Sequence, residues 1–239
     1  LRYALYFTPP EDHPLSQAAQ NWLGSNPFRD GVFSQATVPG FAAEELRDLT
    51  ADPRRYGFHG TLKAPFELAE GRTEAQLLQA LDAFSADCAA FEIPEMTLGQ
   101  LGPFFALVPQ GECAALRAFA DHLVLGFEPF RAPLCEADIA RRKPDELTQS
   151  GRTNLMTWGY PYVFEEFRFH MTLTGKVPAD RRAAMRAVLE DLFGAFIGQP
   201  LPVDTVALFV EPQRGAPFSV HSLLPLGGTS KRKISRYDR

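Results

Sequence analysis

The chain has 239 residues, 45% of them hydrophobic, with 24 Lys or Arg against 29 Asp or Glu for a net charge of −5. A chain of this size and apolar content can bury a core without disulfides or metals, which excludes the disordered and disulfide-scaffold classes. Positions 231–239 hold five Lys or Arg against one Asp, so the body is strongly acidic and a broad nucleic-acid footprint, which needs many phosphate contacts, is not expected.

The basic tail at 231–239 reads as a solvated terminus. Cys88, Cys113 and Cys135 are odd in number and lack metal-ligand spacing, so neither a disulfide framework nor a structural zinc site is expected and a reducing cytoplasm fits. The chain opens on a strand-like run without a leader pattern, and no apolar run reaches the roughly 18 residues of a membrane span.

In chain order, Tyr3 to Thr8 alternates as a strand that Pro9 and Pro10 stop. Ser16 to Leu23 has helical spacing. Phe41 to Thr50 reads as a short helix with Glu44 and Glu45 near its start and Pro53 ending it. The run from Phe58 to Ala64 alternates again, with Phe58, Leu62 and Ala64 on one face and His59, Thr61 and Lys63 on the other. A helix from about Glu74 to Ala90 follows, its Leu77, Leu78, Leu81 and Phe84 forming a core-facing stripe. Strands at Phe91 to Leu101 and Phe104 to Pro109 are separated by Gly102-Pro103.

A helix from about Glu112 to Leu125 opens the second half. The long connection from Glu128 to Glu166 carries the basic run Arg141-Arg142-Lys143-Pro144, a short helix around Leu147 to Met156, and Trp158-Gly159-Tyr160-Pro161-Tyr162. Such loops are commonly functional. The aromatic cluster is either packing or a lid that would make Tyr160 a substrate contact, and the basic run is either a solvated helix end or an anion contact. Then comes the strand-like stretch from Phe167 to Gly175. Its apolar face is Phe167, Phe169, Met171 and Leu173; its polar face is Arg168, His170, Thr172 and Thr174. A helix from about Ala179 to Ile197 and strands at Val203 to Val210 and Phe218 to Leu224 complete the order.

Two copies of His-x-Thr-Leu therefore stand in one chain, at His59 to Leu62 and His170 to Leu173. With five His and 13 Thr, chance supplies on the order of a quarter of one His-x-Thr match. Hydrogen-bonded strand histidines beside ordinary β-forming threonines would have to produce the coincidence twice. The strand after the following helix starts 32 residues past the first His (Phe91) and 33 past the second (Val203). These offsets predict an internal duplication, with halves at about 1–111 and 112–230.

Two imidazoles on related strands suit a reaction in which one proton is removed and another delivered, such as opening a phosphodiester. The two Thr hydroxyls can donate to the non-bridging phosphoryl oxygens. A metal site of His59, His170 and a carboxylate is the other chemistry to weigh, but no His-Glu-x-x-His or close ligand cluster appears, and no cofactor is expected. His13, His122 and His221 stay outside the site.

The paired motifs, each followed by a helix and a strand pair, resemble the 2H phosphoesterase superfamily. That resemblance implies an α+β bilobal fold with two pseudo-symmetric antiparallel sheets and flanking helices around a central cleft, spanning 1–230, and metal-independent action on cyclic phosphates or 2′-linked phosphodiesters. It implies His59 and His170 as the catalytic pair and Thr61 and Thr172 as phosphate contacts. Tyr56 to Lys63, and Trp158 to Tyr162 leading into the second motif, are similar to a branch encoded among phosphonate-utilisation genes. The implied substrate there is 5-phosphoribosyl 1,2-cyclic phosphate, opened to ribose 1,5-bisphosphate. Lys63 and Arg168, on the strand faces of the histidines, are candidates for a second phosphate. The alternatives are an enzyme of RNA 2′,3′-cyclic or 2′,5′ ends and a nucleotide- or RNA-binding module without turnover.

Overall fold

The computed structural model describes residues 1–227 and the strand Lys233–Ile234. The rest of the basic tail lies outside the described residues. In chain order the elements are β1 (Arg2–Phe7), α1 (Pro14–Leu23), α2 (Ala43–Leu49), α3 (Ala51–Tyr56), β2 (Gly60–Phe66), α4 (Glu74–Asp87), β3 (Phe91–Ile93), β4 (Met96–Leu101), β5 (Phe104–Pro109) and α5 (Ala114–Phe127). They continue with α6 (Glu136–Arg141), α7 (Gln149–Trp158), β6 (Met171–Thr172), α8 (Arg182–Phe193), β7 (Leu201–Val203), β8 (Thr205–Glu211), β9 (Ser219–Pro225) and β10 (Lys233–Ile234). Among the described residues no helix is long and apolar enough to cross a membrane.

Local chemistry explains most boundaries. His13 caps α1 by accepting the Leu15 N–H on its ring, and Gly24 ends that helix at φ 61°. Thr73 and Gln76 form a reciprocal capping box at α4. Pro53 does not end the helix that precedes it. α2 stops at Thr50, and Pro53 sits in the first turn of α3, where a missing N–H costs nothing. Each strand expected after a long helix is split in two, at Pro94 between β3 and β4 and at Asp204 between β7 and β8.

The fold is α+β, with a large antiparallel sheet of order β10-β9-β8-β1-β2-β6-β5-β4 and a small sheet of β3 and β7. The two sheets expected from the duplication are thus fused, through the single pair Gly60↔Met171 between β2 and β6. Glycine permits this closeness. A Cβ at Gly60 would stand 2.5 Å from Phe169 Cζ and closer still to its Cε2, because the Phe169 ring lies against the bare backbone. The halves also exchange hairpins: β4–β5 flanks the second motif strand, and β8–β9 flanks β1 and, through it, the first. Phe91 and Val203, equated by the sequence offsets, face each other directly in the small sheet.

Helices α1, α4, α5 and α8 bury their apolar stripes, including Trp22, Leu81, Phe119 and Leu189, on one face of the large sheet with Leu5, Phe7, Leu62 and Met171. A smaller cluster of Ala4, Tyr6, Ala207, Phe209, Phe218 and Val220 occupies the other face, covered by Phe28 and Tyr56. Both histidine motifs open onto that second face.

Candidate active site

The Gly60↔Met171 pair is antiparallel, so one step either way sets His59 opposite Thr172 and Thr61 opposite His170. Residues opposite one another in such a pair share a face, with Cβ atoms about 4.5–5.5 Å apart. The two imidazoles and two hydroxyls therefore stand at alternating corners of a four-residue patch.

The histidine rings are held alike. His59 Nδ1 lies 2.8 Å from the Gly57 carbonyl and His170 Nδ1 2.7 Å from the Arg168 carbonyl. A carbonyl only accepts, so each Nδ1 carries a proton, which leaves Nε2 as the other titrating nitrogen of each ring. His59 Nε2 lies 3.3 Å from Thr61 Oγ1. Gly57 adopts φ 73°, and a Cβ there would meet Pro27 at 2.8 Å, so glycine is required at the turn that presents its carbonyl to His59.

Environment separates the two rings. His59 stacks on buried Tyr6 at 3.8 Å between centroids, with Phe209 and Tyr56 about 6 Å away. His170 meets Phe104 at 5.9 Å. Burial is the main force lowering the His59 pKa to about 4; the Gly57 bond opposes it and the nearby His170 adds to it. His59 is thus neutral near pH 7. That His170 acts on His59 at all reflects the closeness the strand register requires. Tyr6 is raised well above its ordinary value, by burial first and then by Tyr56 and Tyr160.

Both motif strands depart from strict alternation at the same place, just after the threonine. In β2 the register shifts between Tyr6↔Thr61 and Leu5↔Lys63, and in the second motif the N–H groups of Leu173 and Thr174 both reach the Phe105 carbonyl. The inserted residue turns the next side chain away from the histidine face. Thr174 is buried and accepts from the Phe105 N–H. Lys63 stands opposite the core residue Leu5, where its ammonium bonds the Val124 carbonyl at 3.1 Å and Glu128 at 2.9 Å. Burial lowers its pKa and Glu128 restores part of the loss. The expectation that Lys63 shares the histidine face fails on this bulge, and its charge is already matched. Arg168 is exposed and donates to the Phe167 and Glu165 carbonyls.

Residues the sequence did not single out complete the surroundings. Tyr6 lies on the polar side of β1, but its stacking on His59 needs the strand pairing to be known. Buried Glu211 receives Arg2 at 2.5 Å, Arg55 at 2.9 Å and the Gly215 N–H at 2.9 Å. Burial pushes its carboxyl up, yet these donors outweigh that and hold it below its ordinary value. The Arg55 guanidinium covers the Tyr56 ring at 4.1 Å. Of the other histidines, His221 is buried with Nε2 3.7 Å from Glu74. Among the described residues no group of three His, Cys, Asp or Glu could hold a metal ion.

Residues 61–219 match the model of a family described as a protein of unknown function, DUF1045. The chain belongs to the DUF1045 family. Its matched span takes in Thr61, His170 and Thr172 and begins just after His59. This DUF1045 chain is 40% identical over 235 residues to a protein named ribose 1,5-bisphosphate phosphokinase PhnN from Janthinobacterium sp. (strain Marseille), covering 97% of the chain and 52% of that protein. A protein of the same name from Laribacter hongkongensis (strain HLHK9) is 33% identical over 245 residues, with 97% and 54% covered. The DUF1045 chain thus spans about half the length of these relatives. Among solved structures, TT0787 of Thermus thermophilus aligns with a TM-score of 0.45 at 19% identity, covering 96% of this chain and all of that one. A structure described as a phosphoesterase aligns with a TM-score of 0.39 at 12% identity, covering 95% and 99%.

Proposed function

We propose that the chain is a metal-independent cyclic phosphodiesterase that opens a small sugar cyclic phosphate by two-histidine acid–base catalysis. The observation that carries this reading is the patch in which two Nδ1-anchored imidazoles face two threonines across one strand pair. His59, neutral near pH 7, is the base: its Nε2 takes a proton from a water that attacks phosphorus. His170 is the acid: its Nε2 gives a proton to the sugar oxygen that leaves as its P–O bond breaks. One bond to phosphorus forms, one breaks, and the two rings exchange protonation states. Thr61 and Thr172 donate to the non-bridging oxygens as charge moves onto them.

The substrate we propose is 5-phosphoribosyl 1,2-cyclic phosphate. Breaking the bond to O2 leaves the phosphate on O1 and yields ribose 1,5-bisphosphate. The names of both relatives contain that product, which supports a place beside an enzyme that consumes it. The test is phosphorus NMR of the purified chain with this compound and, separately, with nucleoside 2′,3′-cyclic phosphates, under excess chelator. Conversion of the ribose cyclic phosphate resonance into a monoester is expected. Opening of the nucleosides alone would move the function to RNA ends, and turnover only after metal addition would contradict the mechanism.

A further inference from the structure

A small cavity of ≈ 80 Å³ is lined by Arg2, Arg141, Arg142 and Arg214 against two carboxylates, Glu67 and Asp138. Most of these charges are matched. Arg2 pairs with Glu211, Arg141 with Asp138, and Arg214 with both Asp138 and Glu67. The hydrogen bond from Arg214, against the opposing effect of burial, is the main reason the Asp138 carboxyl falls to about 2. Arg142 alone among these four has no carboxylate partner among the described residues; its guanidinium instead rests over the Tyr160 ring at 4.9 Å. It is half-buried, so part of its hydration is already lost.

The backbone turns sharply just after Arg142. Lys143, directly after it, adopts φ 48° and ψ 63° and turns the chain out of α6. A left-handed lysine costs about 1–2 kcal/mol, and such strain gathers where a side chain must be presented. A chain of aromatic contacts leads from Arg142 toward the first histidine: the guanidinium lies over Tyr160, Tyr160 is close enough to Tyr6 to act on its phenol, and Tyr6 stacks on His59. Arg2, on the cavity wall, shares the β1 face with Tyr6, four residues or about 13 Å along the strand.

We infer that Arg142, held over Tyr160, binds the second phosphate of the substrate and makes the site selective for a phosphorylated sugar. This rests on the cyclic phosphodiesterase reading for its substrate, but the anion site can be tested without turnover. A dianion facing an unpaired guanidinium gains charge-assisted, bidentate hydrogen bonds, which are strong when half-buried.

The experiment has two arms, each with wild type, Arg142→Ala and Arg142→Lys after circular dichroism has shown all three folded. In the first, calorimetry measures binding of ribose 5-phosphate and of ribose. Wild type should prefer the phosphorylated sugar, Arg142→Ala should lose roughly 10- to 100-fold in its affinity, and Arg142→Lys should recover part of the loss. In the second, kcat/KM is compared for ribose 1,2-cyclic phosphate with and without the 5-phosphate, and the ratio should fall by a similar factor in Arg142→Ala. Binding that depends on Arg142 without opening of either compound would keep the anion site and sink the catalytic reading. Opening that ignores both the 5-phosphate and Arg142 would keep the catalytic reading and overturn this inference.

Discussion

Replacing Gly60 by alanine tests whether the closeness of the two motif strands assembles the site. The added Cβ would fall 2.5 Å from Phe169 Cζ and closer still to its Cε2, where carbon atoms prefer about 3.5–4.0 Å. The ring must therefore retreat by about 1 Å or more. Little room exists for that, since Phe169 is buried and packs against Phe7 at 6.2 Å. Overpacking of this kind costs about 1–3 kcal/mol. The residue after Phe169 is His170, so the ring and the imidazole move together, and a displacement of about 1 Å can cost about 100-fold in rate. Urea unfolding and kcat/KM for the cyclic ribose phosphate, measured on Gly60→Ala and on Gly60→Ala with Phe169→Leu, separate the two effects. The single variant should lose both stability and rate, and the double variant should recover part of each. A single variant with wild-type midpoint and rate would refute the reasoning, because the strands would then be free to separate without consequence.

His59 has a folded-state pKa of about 4 against about 6.5 unfolded. Between these values the unfolded chain binds the extra proton, so the contribution of His59 is full above about pH 6.5 and is lost as pH falls toward 4, by about 2–3 kcal/mol. Urea midpoints across that window should show the slope in wild type and not in His59→Gln, and an NMR titration placing the ring at its ordinary value would contradict it. Lys63→Met should hold its stability and leave KM for the phosphorylated sugar within about twofold, whereas Glu128→Gln, which strands a buried ammonium, should cost about 3 kcal/mol; a large KM rise in Lys63→Met would return Lys63 to the substrate. Exchanging Tyr6 for leucine removes the ring under His59. The His59 titration should then rise toward its ordinary value as water gains access, and an unmoved pKa would show that Tyr6 does not shield it.

The motifs were legible because His-x-Thr spacing places both groups on one strand face whatever surrounds them. The matched offsets to Phe91 and Val203 were informative for a similar reason, and the structure sets those residues face to face. Lys63 and Thr174 were not legible. Alternation cannot register the extra residue that a bulge inserts, and in both strands the bulge lies between the threonine and the next polar side chain. The second motif looks like a strand over nine residues, yet only Met171 and Thr172 are paired as one. Tyr6 and Arg142 owe their places to contacts outside their own elements, with His59 and Tyr160. Composition there shows an aromatic and a basic run, and only the fold says what each one covers.

On the proposed mechanism His59 and His170 each move one proton in a single ring-opening step. The most direct measurement is the rate of opening of 5-phosphoribosyl 1,2-cyclic phosphate by wild type, His59→Ala and His170→Ala, all folded and all in excess chelator. Each variant should be slower by about 10²–10⁴-fold, with the pH optimum of the wild type replaced by a one-sided profile in each. Wild-type turnover by either variant would rule out a two-histidine mechanism.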